Sequence, residues 1–198
     1  MNQPTWIAGS LLAFAFVFPA AAHPVTFVGT LSNAGEAPQP IPSPGTGSFT
    51  IVFDDDTFTM AVQATFSGLS GDTTASHIHC CTAAPGLGNA GVATQVPTFV
   101  NLPLGVRSGN FSQTLDMTLA SSWNPAFINA NGGTVASAFA ALSTGINAGD
   151  AYLNIHTQFA PGGEIRGFLQ AAPVPEPETW AMMLAGLGVV GAAVRRRV

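Results

Sequence analysis

Apolar side chains fall at every second position through Phe58, Met60, Val62, Ala64 and Phe66, with polar or small residues between them. That period of two is the pattern of a half-buried β-strand. Ser48–Phe53 precedes it across Asp54-Asp55-Asp56, so the two runs read as a hairpin with an acidic turn. Val25–Leu31, Ala75–Cys81, Gly109–Leu119, Ala151–Thr157 and Glu164–Gln170 are further short strands, separated by Gly, Pro, Asn and Asp. Residues 34–47 carry prolines at 38, 40, 42 and 44, which remove backbone donors and fix φ, so no regular element is expected there. One stretch changes period: Val135, Phe139, Leu142 and Ile146 follow one another at helical spacing, with Thr134 placed to cap the start and Gly145 the end. Many short strands with one or two helical insertions predict an antiparallel β-sandwich or Greek-key barrel.

Both ends of the chain depart from this pattern. Residues 1–22 contain an apolar block from Leu11 to Phe18, then Ala20-Ala21-Ala22, the small-residue pattern that signal peptidase cleaves. Cleavage there makes His23 the new N-terminus. At the other end, Pro175-Glu176-Pro177 precedes an apolar run over residues 180–194 and then Arg195, Arg196 and Arg197. The run is expected to form a transmembrane helix, short but extended by its flanks, with the three arginines kept cytoplasmic. The chain thus divides into a signal peptide (1–22), a β-domain (23–173) and a tail (174–198).

Composition narrows the partners. The chain of 198 residues has no lysine, and its β-domain sets Arg107 and Arg166 against eight carboxylates. It lacks the cation clusters that neutralise phosphates, which excludes nucleic acid and anionic lipid as expected partners.

The tail VPEPETWAMMLAGLGVVGAAVRRRV resembles the PEP-CTERM sorting signal of Gram-negative bacteria. That resemblance implies recognition by exosortase, a membrane cysteine peptidase, cleavage near Pro175-Glu176-Pro177, and release or transfer to the cell surface of exopolysaccharide-producing, biofilm-forming bacteria. The body resembles the CHRD domain, first described in chordin. The resemblance rests on VTFVGTLSNAGEAPQPIPSPGTGSFTI, on ASHIH, and on AGDAYLNIHT followed by PGGEIRGFL. Where members of that family often carry glycine after HIH, this chain has Cys80-Cys81.

The candidate chemistry lies in Ser76-His77-Ile78-His79-Cys80-Cys81. Residues i and i+2 of a strand share a face, so His77 and His79 point one way and Ile78 the other. His156 lies opposite Leu153 and Ile155 by the same rule. With both isoleucines in the core, the three imidazoles face outward, and they converge if the two strands are neighbours. Three imidazoles, with Cys81 continuing the row, suit copper or zinc. His23 would add an amine and imidazole clamp after cleavage. The arrangement is similar to the copper site of copper/zinc superoxide dismutase, with Arg166 in the place of that enzyme's late arginine, but the second histidine cluster that would hold zinc is absent. A solvated histidine pair is the alternative. The cysteines also carry two readings, a bridge between neighbours or free, metal-ligating thiols.

The function expected from these features is that of an exported envelope or matrix module. It would have a non-enzymatic interaction or structural role toward an extracellular polysaccharide or protein. The alternative is a copper- or zinc-binding exported protein capable of redox chemistry. Glu164 and Arg166, two apart, are expected to form a local ion pair, and Trp123 and Phe127 to anchor a loop.

Overall fold

A computed structural model describes residues 24–36, 41–173 and 177–196. Eight strands form one antiparallel sheet: β1 (Val25–Ser32), β2 (Thr46–Asp54), β3 (Thr59–Ser67), β4 (Thr73–His79), β5 (Gly109–Asp116), β6 (Tyr152–Thr157), β7 (Ile165–Phe168) and β8 (Gln170–Ala171). Their order is β4-β6-β7-β1-β2-β3-β5, with β8 beside β1, and the sheet curls into a half-barrel. The mainly β, antiparallel expectation holds. Among the described residues there are also three α-helices, α1 (Pro125–Ala130), α2 (Val135–Ala148) and α3 (Pro177–Arg195).

The inner face follows from the alternation. Met60, Val62, Ala64 and Phe66 of β3 are all 4% exposed or less, as are Phe49, Ile51 and Phe53 across the β2–β3 hairpin. The turn joining them is built by Asp54, whose side chain accepts hydrogen bonds from the Asp56 and Thr57 amides. α2 closes the core with Ala138, Phe139, Leu142 and Ile146, Phe139 stacking on Phe53 at 5.0 Å. Trp123 and Phe127 stack in parallel at 6.0 Å, and the indole donates to the Met117 carbonyl, so they anchor their loop to the core.

Several boundaries differ from expectation for local reasons. Thr134 caps α2 in a reciprocal capping box with Ser137. The helix runs past Gly145 and ends at Gly149, whose φ of 79° supplies the left-handed cap that a side chain disfavours. Gly145 instead faces the two cysteine sulfurs, where a Cβ would collide with both. α1, capped by the Asn124 side chain with Pro125 at its first position, has too few residues to show a period.

The apolar run over 180–194, expected as a transmembrane helix, lies within α3. α3 is longer, at 19 residues, yet among the described residues no helix is long and apolar enough to cross a membrane. Alanine and glycine occupy seven of its positions and dilute its hydropathy. Met182, Leu184, Leu187, Val189 and Val190 are exposed, and among the residues whose burial is described the core cluster draws nothing from α3.

Candidate metal centre

The outer face of β4, β6 and β7 carries a second, polar layer. β4 pairs with β6 so that Ala75 lies opposite His156, His77 opposite Asn154, and His79 opposite Tyr152; β7 continues the rows with Arg166 beside Asn154 and Phe168 beside Tyr152. Ile78 and Ile155 are fully buried on the inner face, which turns His77, His79 and His156 to the other. One ring nitrogen from each of the three lies within 4.8 Å of the others.

These imidazoles are not solvated, as an outer sheet face would suggest. They are 6, 7 and 9% exposed because loops fold over them. Each loop contributes one carbonyl. His77 Nε2 lies 2.6 Å from the Pro97 oxygen, His79 Nδ1 2.9 Å from that of Ala90, and His156 Nδ1 2.9 Å from that of Pro161. A carbonyl oxygen only accepts, so each of these nitrogens carries its hydrogen. The tautomers of the neutral rings are thereby fixed, and the remaining nitrogens are lone pairs. His77 Nδ1 is buried with no partner, and the Nε2 atoms of His79 and His156 face each other at 3.3 Å.

Burial, only partly opposed by the Pro97 and Ala90 carbonyls and reinforced by neighbouring imidazoles, lowers His77 and His79 to about 4. Burial lowers His156 too, against the Pro161 carbonyl. Three deprotonated nitrogens in one buried cluster, each on a ring whose other N–H is held by a carbonyl, suit a bound copper or zinc ion. Donors 2.0–2.1 Å from a tetrahedral ion stand about 3.3 Å apart, the separation found between His79 and His156.

Surrounding residues support this geometry. The Tyr152 ring stacks on His79 at 4.9 Å, and its hydroxyl is bonded to the Ala90 amide and carbonyl. Arg166 lies over the other rings of this layer, 4.5 Å from the Tyr152 centroid, and donates to Gly35 and Asn89. Its acidic neighbour is Glu36 at 3.9 Å, not Glu164. The expected Glu164–Arg166 pair is therefore incorrect. Glu164 is fully buried and accepts from Ser43, Thr157 and the Ser70 and Gly71 amides. Burial pushes its carboxyl up, but those four donors hold it below the ordinary range.

Cys81 does not join the imidazoles. β4 ends at His79, and Cys81 is bonded to Cys80 beside Gly145 of α2, which leaves no free thiol among the described residues. His23, the expected cleavage positions Ala20 and Ala22, Pro175, Glu176 and Arg197 lie outside the described residues; Pro177 opens α3, and Arg195 and Arg196 are exposed at its end. The carbonyls of Ala90, Pro97 and Pro161 had no sequence signature, because any residue supplies one.

Comparison with known proteins completes the picture. No curated protein and no solved structure matches the chain. The PEP-CTERM protein-sorting motif matches residues 173–197 and indicates export, a membrane-anchored intermediate, exosortase processing and a cell-surface destination in Gram-negative bacteria. The CHRD domain matches residues 27–169, from the third residue of β1 to the residue after β7, well over half of the sequence. The chain belongs to the CHRD domain family.

Proposed function

We propose that this chain is a non-enzymatic module of the bacterial envelope or extracellular matrix whose buried three-histidine centre holds copper or zinc. In this reading residues 1–22 are removed as a signal peptide after Ala22, the β-domain of residues 23–173 lies outside the cytoplasm, and the tail is cut near Pro175-Glu176-Pro177. The released module then meets an extracellular polysaccharide or protein, with the metal as a structural cross-link between β4 and β6. The copper or zinc would be held by His77, His79 and His156, and would supply positive charge where three lone pairs converge.

The observation that carries this reading is the facing of two unprotonated Nε2 atoms at 3.3 Å, with a ring nitrogen of His77 within 4.8 Å of them and the His77 Nδ1 buried without a partner. Buried polar atoms are almost always paired, and buried acceptors gathered without a donor call for a cation or a donor molecule. Metal analysis of protein exported into a periplasm tests it, with a His77→Ala/His79→Ala control. About one metal ion per chain, lost in the control, supports the centre; no metal under any loading condition removes it and leaves the interaction module alone.

A further inference from the structure

Resting on that three-histidine reading, we infer that the centre selects monovalent copper, Cu(I), over divalent ions. Its donors are all neutral. No carboxylate or thiolate among the described residues joins them: Glu164 is committed to Ser43, Thr157, Ser70 and Gly71, Glu36 faces Arg166, and Cys81 is tied to Cys80. A divalent ion here would keep its full charge in a site where the ligating residues are 9% exposed or less. The cost of placing an ion in such an interior grows with the square of its charge, so a monovalent ion costs about a quarter as much.

A second cation sharpens the preference. Arg166 sits over the Tyr152 ring, which itself stacks on His79, so a guanidinium lies one ring away from a ligand. Zinc held by three histidines also needs a water to complete its four ligands, whereas a trigonal ion does not. Cu(I) is satisfied by three nitrogens in a plane. Bringing donors that lie within 4.8 Å into a trigonal arrangement, with neighbours about 3.5 Å apart at ordinary metal–nitrogen lengths, takes movement on the order of an ångström. The ion enters already reduced, so binding involves no electron transfer.

The test is an anaerobic competition titration of the exported protein. Cu(I) is supplied as its acetonitrile complex against a chromophoric Cu(I) chelator, with parallel titrations of Zn(II) and Cu(II). One equivalent of Cu(I), bound at least tenfold more tightly than either divalent ion and showing three nitrogen neighbours by X-ray absorption, is expected. Zinc binding as tight as Cu(I), or a stable Cu(II) signal by electron paramagnetic resonance, would overturn the selectivity while leaving the metal centre standing. Failure to bind all three ions would remove both. Because the comparison is made between ions on one protein, it does not depend on a variant that must fold.

Discussion

The Nε2 atoms of His79 and His156 face each other at 3.3 Å while the Nδ1–H of each ring is held by a carbonyl, Ala90 for one and Pro161 for the other. Neither ring can donate across the gap while it is neutral. The two strands that carry them, β4 and β6, are hydrogen-bonded neighbours, so backbone pairing holds the two lone pairs together.

A cation in that gap should stabilise the fold. A ligand present at a hundred times its dissociation constant contributes about 2.7 kcal/mol, which raises the Tm of a domain this size by roughly 5–10 °C. Scanning calorimetry of metal-loaded and chelator-treated protein should show that rise, and His156→Ala should abolish it. An unchanged Tm on loading would count against the centre.

Acidification should weaken the metal-free protein over a defined window. His77 and His79 titrate near 4 when folded, against 6.5 ordinarily, so between those values the unfolded chain holds more protons. Stability therefore falls as pH drops from 6.5 toward 4 and levels off below, by on the order of a few kcal/mol in total. Glu36 acts in the opposite sense: burial, against Arg166 and Asn154, pushes its carboxyl up to about 7, so it favours the folded state as pH falls toward 4.5. Glu36→Gln should therefore steepen the decline measured by urea denaturation; a flat profile in both proteins would contradict the assignment.

Glu164 ties the loop before β4 to β7. Glu164→Ala leaves the Ser70 and Gly71 amides and two hydroxyls without their shared acceptor, at a cost of about 3 kcal/mol or more. Glu164→Gln should not rescue it, because the amide nitrogen presents hydrogens to groups that already donate. Full recovery of the urea midpoint in the glutamine variant would show that charge and acceptor capacity are unimportant here.

Gly145→Ala in α2 reverses the usual rule. Alanine is ordinarily better than glycine inside a helix by about 1 kcal/mol. Here the new methyl meets both cysteine sulfurs, and overpacking of that kind costs about 1–3 kcal/mol. A lower Tm is expected, and a higher one would mean that α2 moves freely away from Cys80 and Cys81.

Replacement of Glu176 by Ala should leave the protein uncleaved and membrane-associated in a host that contains exosortase. Immunoblotting of membrane and released fractions reads the outcome, and equal release of the variant and parent chains would refute the role of that glutamate.

Sequence alone determined most of the strand set, the core face and the C-terminal sorting motif, because each is a local pattern; the single strand expected over Glu164–Gln170 is instead β7 and the separate β8. Alternation in Phe58–Phe66 marks which side of β3 is apolar, and Thr134 announces a helix start wherever the chain folds. The His-x-His spacing likewise put His77 and His79 on one face and Ile78 on the other. Register belongs to the tertiary structure. Only the pairing of β4 with β6 sets His156 opposite Ala75, two residues before His77 on the same face, and only loop closure turns an outward face into a buried one. The same long-range packing gave Arg166 to Glu36 instead of Glu164, since β7 aims those two side chains at different loops. Cys81 was lost to the cluster for a related reason: the strand stops at His79, where the chain turns toward α2, and no period in the sequence records where a strand runs out of a hydrogen-bonding neighbour.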